Sequence, residues 1–201
     1  MSREYQVLSD VSESEYEIKK SRFIAIALPA SSREQALLRL DETRSQYPDA
    51  RHHCWAYLIG NPLSPALVAM SDDGEPSGTA GKPILNVLQH KCVGNIMLVV
   101  VRYFGGIKLG AGGLVRAYSS AAQQVMDKIS TYTKFPLIDI VVEGGFALEQ
   151  PLRHWLSLHS GEMVDVDYQQ VVRFNLAIKP EELPTLTDFL SAQGGTLIAE
   201  Q

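Results

Sequence analysis

The chain has 201 residues, 45% of them hydrophobic and 20% charged, with two cysteines and a formal net charge of −5. That composition supports one large soluble domain or two small ones, and excludes a membrane helix, for which a run of about 18 apolar residues is needed. The polar start MSREYQVLSDVSESEYEIKK lacks a signal-peptide core, and Cys54 and Cys92 are too few for a disulfide framework, so a reduced, cytoplasmic protein is expected.

Tyr16–Lys20 and Arg22–Leu28 alternate as paired strands. Ser32 then caps a helix over Arg33–Tyr47, with Leu37, Leu38 and Leu40 on its buried side and Pro48 as its stop. His53–Ile59 and Ala66–Met70 read as short strands around the turn-forming GNPLSP. After the acidic run SDDGEPSGTAGKP, Pro83 opens a helix that reaches about His90. Asn95–Tyr103, with IMLVVV at its centre, has the continuous apolar character of a strand buried on both faces. A glycine-rich loop leads into a helix over Gly113–Ile129, striped at Leu114, Tyr118, Ala121, Val125 and Ile129. Thr131–Pro136 is the expected hinge. Beyond it, Leu137–Val142, Ala147–Ser157, Glu162–Tyr168, Val171–Ile178, a helix from Pro180 to Ala192 ended by Gly194-Gly195, and Thr196–Ala199 spell β-α-β-β-α-β, the ferredoxin-like plan. The expected fold class is therefore α+β in two domains, residues 1–134 and 135–201.

Charge divides unevenly between the two. Residues 1–134 carry 15 Lys+Arg against 13 Asp+Glu, and residues 135–201 carry 3 against 10. Within the first part, Pro76–Met126 contains no acid at all, yet holds Lys82, Lys91, Arg102, Lys108 and Arg116. A cation-bearing, acid-free window is where a polyanion would be gripped.

Two glycine-bearing helix starts lie in that window. The GTAGKP start (Gly78, Thr79, Gly81, Lys82) and the RYFGGIKLGAGGLVR start (Arg102, Tyr103, Gly105, Gly106, Lys108, Gly110, Gly112, Gly113, Arg116) both offer helix N-terminal amides beside cations. They read as an anion pocket for RNA, a nucleotide or an acidic peptide. The competing reading is that the glycines only permit tight turns and close packing. Neither segment is a P-loop or a dinucleotide fingerprint. Asp72, Asp73 and Glu75 suit acid–base work or Mg²⁺ binding, or equally turn hydrogen bonds and local charge neutralisation. Arg51-His52-His53-Cys54 cannot converge on one metal, because neighbours on a strand point to opposite faces. Cys54 reads as a nucleophile with His52 or His53 as base, or as an inert buried thiol. Tyr103 and Phe104 are candidates for stacking on bases or for packing.

SDDGEPSGTAGKPIL and GNIMLVVVRYFGGIKLGAGGLVRAYSSA resemble the defining segments of the IMPACT family (uncharacterised protein family 29). Its hydrophobic strand followed by R-[FY]-[FY]-G-G, a spacer and glycine stands here as Val99–Gly110, and the likeness spans residues 15–130. The resemblance implies a first domain like a ribosomal-protein domain and domain IV of elongation factor G, and a second like that factor's domain V. Eukaryotic relatives restrain an amino-acid-starvation kinase by binding its large activator protein. They carry an N-terminal partner-binding domain that this sequence lacks, so their specific partner is not carried over. The resemblance assigns no catalytic residue.

The expected function is a non-enzymatic regulatory protein linked to translation. It would contact RNA, the ribosome or a translation-associated protein through the basic glycine-rich face, without a cofactor, a metal, a membrane or DNA sequence specificity. The alternative is a small phosphate- or nucleotide-binding enzyme that uses the glycine loops and the Asp72, Asp73 and Glu75 cluster for Mg²⁺-dependent phosphotransfer or hydrolysis.

Overall fold

The computed structural model describes residues 4–200. The chain is α+β and divides after Lys134 into two compact units, residues 1–134 and 135–201. The first unit runs β1 (Tyr5–Leu8), β2 (Ser12–Ile18), β3 (Ser21–Pro29), α1 (Arg33–Gln46), β4 (His52–Asn61), β5 (Ser64–Ser71), α2 (Gly81–Lys91), β6 (Val93–Gly94), β7 (Ile96–Tyr103), α3 (Ala111–Met126) and β8 (Thr131–Lys134). The second runs β9 (Ile138–Gly144), α4 (Glu149–Leu158), β10 (Glu162–Tyr168), β11 (Val172–Ile178), α5 (Leu183–Gln193) and β12 (Thr196–Glu200).

The first unit is built on an antiparallel five-stranded sheet of order β2-β3-β7-β4-β5. Successive side chains of a strand face opposite sides, and here both sides are covered. Phe23, Ala25, Ala27, Leu98 and Val100 pack with Ile84 and Leu88 of α2 and with Leu114, Tyr118 and Val125 of α3. Ile24, Ile26, Leu28, Met97, Val99 and Val101 pack with Ala36 and Leu40 of α1. The central strand β7 is thus buried on both faces, as its unbroken apolar run requires. Ser32 caps α1 by accepting from the Gln35 amide at 3.2 Å. The buried side of α1 is Ala36, Leu40 and Thr43, whereas Leu38 lies 58% exposed. The i, i+4, i+7 spacing of those three outweighs the raw hydrophobicity of Leu38.

Three strands were not foreseen from sequence. β1 pairs in parallel with β6 and antiparallel with β8, forming a small second sheet. Residues 131–134, expected as a hinge, are therefore a strand whose register sets Gln6 against Thr133. The last helix of the unit begins at Ala111 and ends at Met126, two residues earlier and three residues shorter at its far end than the apolar stripe suggests.

The second unit has the sheet order β10-β11-β9-β12, every neighbour antiparallel, with α4 and α5 between the strands of the β-α-β-β-α-β order. Its core gathers Val142, Phe174 and Leu176 from the sheet with Leu152, Trp155, Leu186 and Leu190 from the helices. Gly194 ends α5 in the left-handed conformation, its amide returning to the Leu190 carbonyl. No helix among the described residues is long and apolar enough to cross a membrane.

Candidate functional site

The acidic run and the glycine-rich loop meet at the α2 and α3 side of the first unit, but the two helix starts have different fates. At α2, Asp72 fills the anion position itself. Its Oδ2 accepts from the Gly78 amide at 2.8 Å, and its Oδ1 accepts from the amides of Ala80 and Gly81 at 2.9 Å each. Burial pushes the Asp72 carboxyl up, yet the three amide hydrogen bonds hold it below its ordinary value. Gly78, Thr79 and Gly81 consequently serve an internal cap, with the Thr79 hydroxyl donating to the Pro76 carbonyl at 2.6 Å. Lys82 is exposed beside them and is not among the residues that line the groove of about 610 Å³ around Arg102. The expected anion pocket at this helix start is corrected: the carboxylate that satisfies its amides belongs to the chain.

The other two acids are also engaged separately. Asp73 sits in the left-handed region at φ 40°. Its Oδ2 accepts from the His53 amide at 2.6 Å and its Oδ1 from the Arg44 guanidinium at 3.3 Å, while its carbonyl accepts from His52 Nδ1 at 2.8 Å. Glu75 is buried and takes two donors on one oxygen, Arg102 Nη1 at 2.5 Å and the Tyr118 hydroxyl at 2.9 Å. The three carboxylates thus diverge into a cap, a turn and a buried ion pair, and they do not assemble the Mg²⁺ cluster of the enzymatic alternative. Among the described residues, no group of three or more His, Cys, Asp or Glu side chains is placed to hold a metal ion.

Cys54 extends the buried network. Its thiol lies 3.0 Å from the Asp72 carbonyl and 3.3 Å from the Tyr118 hydroxyl. Burial pushes the thiol up to about 12 and outweighs the hydrogen bond to Tyr118, so no nucleophilic thiolate forms near neutrality. Burial is likewise the largest cause that raises the Tyr118 hydroxyl, followed by its Cys54 and Glu75 neighbours. His53, offered as a base, has its ring lowered by burial, and its Nε2 donates to the Tyr47 carbonyl at 3.1 Å.

At α3 the helix start is open. Gly110 precedes it at φ 73°, a conformation few side chains tolerate, with no side-chain cap, and the first turn carries no acid. Upstream, Gly105 lets the loop leave β7 against the β2–β3 turn. A Cβ there would overlap the Lys20 carbonyl, and the Gly105 amide donates to Ser21 Oγ at 3.1 Å. The loop so positioned closes one side of a groove of about 610 Å³. From the expected residues it collects Glu75, Arg102, Tyr103, Lys108 and Gly110, together with the stacking candidate Phe104; Arg51 and His52 join them, with Asp49 also in its wall. Gly105 and Gly106 shape the loop without lining the groove, and Gly112, Gly113 and Arg116 continue along α3 past it.

Arg102 is the best-buried cation of the groove, its side chain only 8% exposed. Its guanidinium lies 5.5 Å from the Phe23 ring centroid and 5.7 Å from that of Phe104. Nη1 is committed to Glu75, and among the described residues the buried Nε has no hydrogen-bond partner. Tyr103 has Arg22 stacked on its ring at 4.7 Å, whereas Phe104 is 57% exposed. Arg51 and His52, weighed in the sequence only within the Arg51–Cys54 run, reach the loop through the strand register, His52 opposite Arg102.

Residues 19–126 match the Impact N-terminal domain, and residues 142–193 match a domain of unknown function, DUF1949. The chain is 41% identical over 162 residues to the IMPACT family member YigZ of Escherichia coli (strain K12), covering 81% of this chain and 79% of that protein. The chain belongs to the IMPACT family. It is also 30% identical over 191 residues to the family member YvyE of Bacillus subtilis (strain 168), covering 95% of this chain and 87% of the relative. A solved structure described as a hypothetical protein superposes with a TM-score of 0.81 at 35% identity, over 98% of each chain. This IMPACT family member thus carries the Impact N-terminal domain and DUF1949 in one chain, in that order.

Proposed function

We propose that this IMPACT family member is a cytoplasmic, non-enzymatic regulator linked to translation, and that it contacts RNA or a ribosomal surface through the groove at the start of α3. One observation carries the reading: an uncapped sixteen-residue helix opens beside Arg51, Arg102 and Lys108, with its first turn free of acid. Helix N-terminal amides and cations together favour phosphate oxygens. Family membership supports the translational context. The acidic second unit, with 3 Lys+Arg against 10 Asp+Glu, leaves the electrostatic contact to the first unit.

The test is co-sedimentation with ribosomes and their subunits at low and high salt, beside an Arg51→Glu, Lys108→Glu double variant. Both side chains are exposed, so reversal leaves the core intact. The expected result is salt-sensitive pelleting that the variant loses. Pelleting unchanged by the reversal, or absent at every salt concentration, would overturn the assignment of this surface.

A further inference from the structure

The five-stranded sheet of the first unit has two edges, and they are built differently. β2, at one edge, reads SESEYEI and exposes Glu13, Glu15 and Glu17 along its length. Charges placed in this way keep a further strand from pairing. β5, at the other edge, reads SPALVAMS, and no Asp, Glu, Lys or Arg occurs from Gly60 to Ser71. Among the described residues its one strand neighbour is β4, so its outer side has no ladder partner. Leu67, Val68 and Met70 are 45%, 40% and 47% exposed along it. Pro65 withholds a backbone donor only near its start. An uncharged, apolar edge of this kind is a template for another strand.

The order of residues in β5 makes it complementary to itself. Two antiparallel copies related by a twofold axis normal to the sheet set residues of one face opposite each other. With Val68 opposite Val68, Leu67 meets Ala69 and Met70 meets Ala66, so each larger side chain faces a small one. Centring the pair on Leu67 or on Ala69 instead sets Met70 against Ser64, or Ala66 against Asp72. The β4 register fixes the faces. Val68 and Met70 stand opposite Leu58 and Ala56, which pack with Ile84 and Leu88 of α2. Leu67 and Ala69 stand opposite Ile59 and Tyr57, on the side of α1. Because Val68 and Met70 stay exposed, α2 does not cover the edge. Each copy carries a formal net charge of −5, and this edge lets two of them meet without setting like charges together.

We infer that β5 is a homodimer interface: two copies join antiparallel through this strand, centred on Val68, into a continuous sheet of ten strands, five from each copy. A contact of one strand a side lies at the small end of interface sizes, so the dimer exchanges with monomer in roughly the micromolar range. No residue of β5 lines the groove at the start of α3, and the inference stands apart from the function proposed for that groove.

The experiment is sedimentation velocity from low micromolar to submillimolar protein, for the unaltered chain, Val68→Lys, Val68→Glu and an equimolar mixture of the two variants. Val68 is exposed and belongs to neither core of the unit, so both charges are carried at the surface, and circular-dichroism melting checks that each variant folds. The unaltered chain is expected to pass from monomer to dimer as concentration rises. Each variant alone should self-associate at least about tenfold more weakly, since like charges then face each other. The mixture should recover the dimer, because a contact of residue 68 with residue 68 sets lysine against glutamate. A monomer at every concentration of the unaltered chain would overturn the inference, whatever the variants do, and leave the edge to an extended segment of another protein. Dimers that withstand both substitutions, or weakened ones that mixing does not restore, would overturn it as well.

Discussion

Removing the carboxylate of Asp72 should destabilise the first unit through the N-terminus of α2. Three backbone amides, those of Gly78, Ala80 and Gly81, point at its two oxygens at 2.8 to 2.9 Å. An ordinary N-cap serves one or two amides, and its loss costs about 1 kcal/mol. With three amides on a charged acceptor in a half-buried site, Asp72→Ala is expected to cost about 3 kcal/mol, part of the gross loss being returned by water. Asp72→Asn keeps one acceptor oxygen for Ala80 and Gly81 but turns an amide group towards Gly78, and should cost about 1–2 kcal/mol. The assay is urea denaturation followed by Trp55 fluorescence in a Trp155→Phe background, since each unit carries one of the two tryptophans. pH gives an independent check. The folded Asp72 carboxyl lies below its unfolded value, so its contribution is complete above the unfolded value of about 3.9 and fades as pH falls through the folded one. The gap between the unaltered chain and Asp72→Asn should therefore be full at neutrality and narrow in acid. A cost for Asp72→Ala below about 1 kcal/mol at neutral pH, or a gap that widens in acid, would refute the cap.

Other consequences follow from the same network. Glu75→Ala strands the buried Arg102 guanidinium and should cost about 3–5 kcal/mol, whereas Tyr118→Phe should cost about 1–2 kcal/mol; the Glu75→Ala, Tyr118→Phe double variant should fall short of the sum of the singles in urea denaturation. Cys54 is buried with its thiol pushed up to about 12, while Cys92 is exposed, so native alkylation at about pH 8, near the ordinary thiol value, should add one adduct per chain, at Cys92, by mass spectrometry. A fragment of residues 1–134 should melt cooperatively by circular dichroism, and so should one of residues 135–201. A fragment of residues 1–130 should melt at lower temperature, because it loses the β8 partner of β1.

The elements with strong local signatures were legible from the amino acids. The apolar run of β7, the Ser32 cap and the β-α-β-β-α-β order of the second unit each state their structure within a few residues. β1, β6 and β8 were not, since they have four, two and four residues and find their partners across most of the unit. Pairing at that separation leaves no periodic trace in so short a segment. The candidate site was legible in its parts: Arg102, Lys108 and Gly110 line one groove. Its completion by Arg51 and His52 depends on the β4–β7 register, and Lys82 and Arg116 are not among its lining residues. Charge counting alone could not separate these cations.

The two glycine-rich helix starts show what decides between an internal and an external anion. Both present amides, both carry glycines in the left-handed region just before them, Gly78 and Gly110, and both lie in a stretch without acids. The difference is upstream. β5 ends at Ser71 and hands Asp72 to the loop, six to nine residues before the amides it reaches, a span that folds back on itself at Asp73 and Gly74. β7 ends at Tyr103 and hands over Phe104, an aromatic residue with no charge to offer, and α3 starts without a side-chain cap. The acid that marks the first loop as a binding candidate in the sequence is thus the group that closes it, and the loop without an acid is the one left open to a ligand. A single exchange tests the logic: placing an aspartate at Ala111 should give α3 a carboxylate near its own amides, stabilise that helix by about 0.3–1 kcal/mol, and abolish anion binding at the groove. Stabilisation without loss of ribosome binding would show that the contacts that matter lie elsewhere on the unit.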